Sequence, residues 1–334
     1  MARINIKISP KLIQSDEEII VIEIDEHCNM TTRTATCEKR SDGIAAYISS
    51  LIGRLNEDMR QGTADNYICA MRSMKRFTAG ADIAFDKFDA DTVSRYEAYL
   101  RKRGLKMNTV SFYMRTLRAI YNRAVSEGIT EDKSPFKNVY TGNCRTSKRA
   151  VALNVIRAIS RMQTASPKQA WARDMFMFSF YTRGMSFVDM AYLKNTDLKD
   201  GMLTYRRKKT GQTLMVRWEK CMQDIVDAHP SGNDIYMLPL IRRPGINERR
   251  QYKSSQRMAN RELCQIGETL LTETPLTMYV ARHSWASIAK QMQIPMNVIS
   301  ESMGHTSLKT TQIYLKSLDH DIIDRANAKI LKLM

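Results

Sequence analysis

Between residues 44 and 59 the side chains Ile44, Tyr47, Ile48, Leu51, Ile52, Leu55 and Met59 recur at i, i+3, i+4 and i+7. That spacing lines one face of an α-helix and no face of a strand. A helix with such a stripe must bury it against other helices, and the next eighty residues supply them. Gly62 is expected to end the first helix and Thr63 to cap a second, whose Tyr67, Ala70, Met71, Met74 and Phe77 form one stripe before Gly80. A third opens at Asp89 or Asp91, turns Val93, Tyr96 and Leu100 inward and stops at Gly104. Asn108 is expected to cap a fourth, with Val110, Met114, Leu117, Tyr121 and Ala124 on one face. Four amphipathic helices joined by short loops make a small bundle over residues 41–140, and the apolar stripes are its core.

Ahead of the bundle, residues 1–40 hold two β-branched runs, INIKI at 4–8 and IIVIEI at 19–24, that read as a short hairpin. The polar MTTRTATCEKR after them reads as a linker. Beyond the bundle, Ser134-Pro135 breaks the helical pattern, and TGNCRTSKRA at 141–150 is polar, basic and turn-rich, as an interdomain linker should be. Residues 151–320 form a second domain. It begins with helices at VALNVIRAIS and, opening at Pro167, SPKQAWARDMFMFSFY. A hairpin follows over 202–218, where Leu203/Tyr205 and Leu214/Val216/Trp218 alternate around a turn containing glycine. Then come a short helix over 219–229 and a long basic helix within RRQYKSSQRMANRELCQIGETLL. The tail, 321–334, is amphipathic and either docks on a neighbouring protomer or folds back on its own domain. The fold class is mainly α with a small β component: a helical bundle, then a mixed α/β domain.

A chain of 334 residues has room for two such domains. Its formal charge of +17 and pI near 9.6 point to a polyanionic partner, most often nucleic acid. The six cysteines are scattered, form no C-x-x-C and sit at no metal-binding spacing, which fits reduced thiols in a cytosolic protein better than a disulfide framework. The N-terminus lacks the apolar run of a signal peptide. No stretch approaches the ~20 apolar residues of a membrane span. The expected location is cytoplasmic, with no membrane partner.

The densest chemistry lies between Thr277 and Lys316. Three helices are legible: one from about Thr277 to Gln291, one opened by Pro295 and closed by Gly304, and one after His305 carrying Tyr314. Arg282, His305 and Tyr314 can then converge on one small anionic group. The run R-H-S-W-A at 282–286, M-G-H at 303–305 and T-T-x-x-Y ending at Tyr314 resembles the C-terminal signature of the tyrosine recombinases, the phage integrase family. The resemblance covers roughly residues 41–320. It implies a site-specific DNA recombinase with Tyr314 as nucleophile, Arg282 as the second arginine and His305 as the histidine preceding the tyrosine helix. It also implies a bundle that is a core-binding domain, clamping one side of a duplex.

Further positions bear on the comparison. The family usually has histidine three residues before the second arginine; here Tyr279 stands there, a phenol that can donate to a phosphate oxygen but, with an ordinary pKa of about 10, shuttles protons poorly at neutral pH. His283 lies beside Arg282, about 100° further round the helix. Laying G-M-S-F-V-D-M at 184–190 on the family's first arginine box puts Ser186 where arginine belongs and Asp189 at its acidic position. Arg183 is the nearest arginine and the expected substitute, because two guanidinium forks stabilise the charge that grows on a pentacoordinate phosphate. K-T-G at 209–211 matches the family's hairpin lysine motif, so Lys209 is expected as general acid with Lys208 as its neighbour and competitor.

The implied reaction needs no metal and no cofactor. The implied partner is double-stranded DNA, bound by a homotetramer on two synapsed sites, with room for accessory DNA-bending proteins. Phosphate contacts are expected from Arg101, Lys102, Arg103, Lys106, Arg115 and Arg118 on the bundle, Lys148 and Arg149 in the linker, and Lys208 and His283. Two other readings share these residues: a DNA-binding or architectural protein with impaired catalysis, and a type IB topoisomerase-like enzyme.

Overall fold

Leu51, Phe88, Val93, Leu100, Val110 and Met114 are fully buried in one cluster, and most come from the stripes that the helical spacing picks out. All but Phe88, which lies just ahead of α3, belong to α1 (Ile44–Glu57), α3 (Ala90–Lys102) and α4 (Met107–Ser126), with α2 (Gln61–Phe77) packed on α1 and α4. The computed structural model describes residues 43–144, 149–305, 307, 311 and 312, and the backbone of 18–24 and 30–36. The chain divides into two compact units, Met1–Arg145 and Thr146–Met334.

In the first unit Asp89 caps α3, its Oδ1 accepting from the Thr92 N–H at 2.8 Å. Two other caps differ from expectation. Gly62 and Thr63 both lie inside α2; the break before it is made by Met59, at φ 57°, and by Arg60, whose N–H returns to the Leu55 carbonyl at 2.8 Å. Asn108 sits inside α4, where its side chain clasps the Cys144 backbone, donating to its carbonyl at 2.9 Å and accepting from its N–H at 2.7 Å. Competing polar partners of this kind draw Asn away from a cap. Before the bundle, β1 (Glu18–Ile24) pairs antiparallel with β2 (Met30–Thr36), Ile24 opposite Met30. The polar stretch expected as linker is therefore partly a strand, in keeping with its β-branched Thr31, Thr32, Thr34 and Thr36. The INIKI run at 4–8 lies outside the described residues.

The second unit is built around α6 (Pro167–Tyr181). Pro167 opens it and the Ser166 hydroxyl accepts from the Gln169 N–H at 3.2 Å. Ala172, Met175, Phe176, Met177, Phe178 and Ser179 are consecutive or nearly so, and all are buried. A helix buried on more than one side is a central one, and α6 packs on α5 (Leu153–Arg161), α8 (Lys220–Ala228), α9 (Glu248–Thr269) and α10 (Met278–Gln291). Between the short α7 (Phe187–Ala191) and α8 lies a three-stranded antiparallel sheet, β3 (Leu198–Lys199), β4 (Met202–Arg206) and β5 (Thr213–Arg217), with Leu203 opposite Val216 and Tyr205 opposite Leu214. Trp218, just past β5, meets Phe178 edge-on at 6.1 Å, joining the sheet to α6. After α10 comes α11 (Met296–Ser302), with Pro295 at its N-cap. Of the third C-terminal helix only Thr311 and Gln312 are described; Tyr314 and the tail 321–334 are outside the described residues. Among the described residues no helix is long and apolar enough to cross a membrane.

Candidate active site

At the end of α6 both Arg183 and Gly184 take positive φ, 60° and 76°. The Gly184 N–H closes the helix on the Ser179 carbonyl at 2.7 Å. The turn brings Gly184 against α10 so closely that a Cβ there would stand 2.8 Å from the Arg282 Cα. Gly184 therefore meets two demands at once, a left-handed backbone and a close approach. Its carbonyl accepts Arg282 Nη1 at 2.6 Å.

Arg282 is only 5% exposed. Its Nη2 donates to the Met303 carbonyl at 2.6 Å and meets His305 Nε2 at 3.1 Å. A guanidinium can only donate, so Nε2 accepts. The imidazole proton then sits on Nδ1, which is 2.8 Å from Thr311 Oγ1. Burial, with the charges of Arg282, Arg207 and Lys209 behind it, lowers the His305 pKa to about 4 and keeps the ring neutral near pH 7.

The other end of this group comes from the β4–β5 turn. Arg207 is 7% exposed and its Nη1 donates to the Gly304 carbonyl, the residue after Met303. Gly304 has φ 62°, and a Cβ on it would stand 2.7 Å from Arg207 Cδ. Asp189, buried on α7, ties turn and helix together: Oδ1 accepts the Lys208 N–H at 2.8 Å, Oδ2 accepts the Ser186 hydroxyl at 2.6 Å, and Oδ2 lies 3.8 Å from Arg207 Nε. Ser186 is thus the N-cap of α7, its hydroxyl engaged with Asp189. Lys209 is exposed on the turn, near enough to His305 for its charge to act there. Lys208 is also exposed, with Nζ 4.2 Å from the Tyr192 ring centroid.

Arg183 lies elsewhere in this neighbourhood. Its side chain is half-buried and Nη1 donates to the Met215 carbonyl of β5 at 3.2 Å. Sequence reasoning passed over Arg207, although a signal was present. Burial along β4 alternates strictly, Leu203 and Tyr205 in, Thr204 and Arg206 out, and Arg207 keeps the inward phase. A charged residue in an inward register is a site candidate in its own right.

Tyr279 is 45% exposed and stands edge-on to the His283 ring at 4.4 Å, with the Arg149 guanidinium 5.9 Å from its own ring centroid. Burial first, then Arg149 and Arg282, lower the His283 pKa to about 4. In the first unit Arg101, Lys102, Arg103, Lys106, Arg115 and Arg118 are all exposed. Arg101 is paired with Glu97 at 2.8 Å, Arg103 lies over the Tyr99 ring at 5.6 Å, and Arg115 Nε donates to the Ser111 carbonyl at 3.4 Å. Lys148 falls outside the described residues.

Residues 150–320, more than half of the chain, match the model of the phage integrase family, and residues 44–140 match that of the phage integrase SAM-like domain. The chain belongs to the phage integrase family. It is a tyrosine recombinase, a site-specific recombinase enzyme. Its curated relatives include the tyrosine recombinase XerA of Thermococcus kodakarensis, 26% identical over 250 residues, covering 73% of this chain and 83% of that one. Another is XerA of Pyrococcus furiosus, 24% identical over 246 residues, covering 70% of this chain and 79% of that one. Among solved structures, the Tn1549 transposon integrase in complex with transposon right end DNA superposes with a TM-score of 0.64 at 13% identity, covering 87% of this chain and 99% of that one. A lambda integrase dimer bound to a COC′ core site gives 0.62 at 16% identity, covering 92% and 81%. A lambda integrase tetramer bound to a Holliday junction gives 0.62 at 16% identity, covering 83% and 78%. At these identities the structural likeness speaks for the fold: an integrase-like recombinase with a helical N-terminal domain and a mixed catalytic domain.

Proposed function

We propose that this recombinase cuts and rejoins double-stranded DNA through a 3′-phosphotyrosyl intermediate. Tyr314 Oη bonds to the scissile phosphorus as the bond to the 5′ oxygen breaks; the phenol gives its proton to solvent and Lys209 supplies one to the leaving oxygen. Arg282, with His305 beside it, stabilises the charge on the non-bridging oxygens, and Tyr279 adds a phenol donor from the first turn of α10. The new ester conserves the free energy of the old one, so a 5′ hydroxyl from a second duplex reverses the step. No metal or cofactor enters. Two rounds on synapsed sites give integration, excision or inversion according to how the sites are placed.

The observation that carries this reading is the run Met303, Gly304, His305. Two carbonyls and one imidazole on consecutive residues hold two guanidiniums from different parts of the fold, and T-T-x-x-Y opens at Thr310, a few residues on in sequence. The neighbours with known structures are in complex with core-site, transposon-end and junction DNA, lambda integrase as a dimer on the first and a tetramer on the last. By analogy we assign this chain a DNA duplex and a homotetramer on two sites, in the cytoplasm. The exposed basic residues of the bundle, with Lys148, Arg149, Lys208 and His283, are assigned to phosphates.

The test is a covalent trap. A duplex is selected by the protein from a randomised library, nicked beside the cleavage position so that the cut fragment is lost, and run on a denaturing gel. Wild type gives a protein–DNA adduct and Tyr314→Phe gives none. Persistence of the adduct in Tyr314→Phe assigns the nucleophile elsewhere. Absence of any adduct, with salt-dependent binding retained, favours the binding protein. A requirement for two sites separates recombination from topoisomerase action.

A further inference from the structure

A buried arginine needs an anion or a full set of acceptors, since stranding its charge costs several kcal/mol, roughly 3–5 when one partner of a buried pair is missing. Arg207 has neither in full. Its Nη1 is taken by the Gly304 carbonyl, while Nε is buried with no hydrogen-bond partner among the described residues. The Asp189 carboxylate, 3.8 Å from Nε, is beyond hydrogen-bonding range, and its two oxygens already accept the Lys208 N–H and the Ser186 hydroxyl. The carboxylate neutralises the charge at a distance without consuming the donor. On the next carbonyl along, Arg282 is held in the same manner. Arg282, Arg207 and Lys209 all act on His305, so three cations from α10 and the hairpin turn gather beside the end of α11. A buried, unengaged guanidinium donor set among gathered cations is what a phosphodiester requires as charge builds on its equatorial oxygens.

We propose that Arg207, delivered from the hairpin turn, is a catalytic residue of this enzyme: its guanidinium takes one non-bridging oxygen of the scissile phosphate while Arg282 takes the other. It stands in for the group missing at Ser186 in place of Arg183, whose half-buried side chain turns instead to the Met215 carbonyl of β5. Ser186 and Asp189 then position it, Ser186 by orienting the carboxylate and Asp189 by anchoring the turn through Lys208. The inference rests on the recombinase reading above.

The experiment compares two trapping substrates that differ at one atom: the selected nicked duplex with an ordinary scissile phosphate, and the same duplex with a methylphosphonate there. The methyl group removes the oxygen charge that a guanidinium would stabilise. Wild type, Arg207→Ala, Arg207→Lys, Arg183→Ala and Tyr314→Phe are assayed as full chains, each with a melting curve. Arg207→Ala is expected to slow adduct formation on the phosphodiester by about 100-fold or more and to recover most of it on the methylphosphonate; Arg207→Lys, which keeps charge and loses the fork, falls between. Three results overturn the proposal: wild-type rates in Arg207→Ala, an equal loss on both substrates in a folded variant, or methylphosphonate rescue in Arg183→Ala instead. Should Arg207→Ala fail to fold, Arg207→Lys decides by the same ratio of substrates. Failure of the recombinase reading looks different: wild type itself forms no adduct, or Tyr314→Phe still does.

Discussion

Arg207 lies across Gly304 so closely that a β-carbon on the glycine would stand 2.7 Å from its Cδ and 3.0 Å from Leu214 Cδ1. Gly184 stands in the same relation to Arg282, but there the nearest atom is the Arg282 Cα, at 2.8 Å. The difference decides what an alanine does at each place. Both positions have positive φ, costing about 1–2 kcal/mol for an L side chain. At Gly304 the obstacle is a side chain that can swing away, so Gly304→Ala should melt only moderately below wild type and lose cleavage as Arg207 is displaced. At Gly184 the obstacle is backbone, and Gly184→Ala should lose more stability. Thermal melts beside adduct rates check the ordering; a larger melting loss in Gly304→Ala would reverse this account.

Asp189 offers a second prediction. Its side chain is almost completely buried, and its carboxylate is the ion-pair partner of an equally buried Arg207. Removing one member of a buried pair costs about 3–5 kcal/mol. Asp189→Ala should therefore destabilise by that order and free the hairpin turn, because the Lys208 N–H loses its acceptor. Asp189→Asn keeps a hydrogen-bonding side chain of the same shape and should lose less. Ser186→Ala removes a single hydroxyl bond to the carboxylate and should cost about 1 kcal/mol. Urea unfolding of the three variants gives the order directly.

How much of this was readable beforehand follows from what sequence patterns encode. Helical stripes such as Ile44, Tyr47, Ile48 and Leu51 are set by local geometry, and the elements they specify form as expected. Arg282 and His305, whose side chains meet at 3.1 Å, stand out in the sequence because their spacing along the chain is itself the signature. Arg207 was missed because its place in the site is set by three-dimensional register: the turn is pinned to α7 by Asp189, from a different segment. In a run reading R-R-K-K, one inward arginine looks like its outward neighbours unless the period of two is carried past the end of the strand. The misplaced cap at Asn108 has a similar cause. A tertiary partner, the Cys144 backbone, outbid the local one for Asn108.

Acid should weaken the catalytic unit before the bundle. His305 and His283 are both lowered from 6.5 to about 4. The unfolded chain then binds more protons than the folded one between those values, so stability rises with pH across that window and is lost as pH falls from about 6.5 towards 4. In the bundle, Glu127 is lowered from 4.5 to about 2 by hydrogen bonds from Arg54 first, then Arg123. Its contribution survives until pH falls below 4.5, a lower window. Denaturation midpoints measured from pH 7 down to 3, with a tryptophan signal for the second unit, should show the first loss above pH 4. His305→Gln should flatten that slope. An unchanged slope in this variant would mean that the folded ring titrates near its ordinary value.

Lys209 and Lys208 are neighbours in sequence, and their surroundings predict opposite behaviour. The Lys208 ammonium sits 4.2 Å from the centre of the Tyr192 ring, a cation–π placement that occupies it. Lys209 is free of any such ring among the described aromatic contacts, and its charge reaches His305. If Lys209 protonates the 5′ oxygen, Lys209→Ala should slow trapping by about 100-fold or more on a normal duplex. Replacing the bridging 5′ oxygen by sulphur should restore most of the rate. A thiol ionises near ~8.5, so a thiolate departs without help that an alkoxide cannot do without. Lys208→Ala should show a smaller loss and no selective gain from sulphur, because its contribution is to binding. The rate ratio between sulphur and oxygen substrates, measured for each variant and for wild type, separates the roles. Sulphur rescue in Lys208→Ala and its absence in Lys209→Ala would exchange the two assignments.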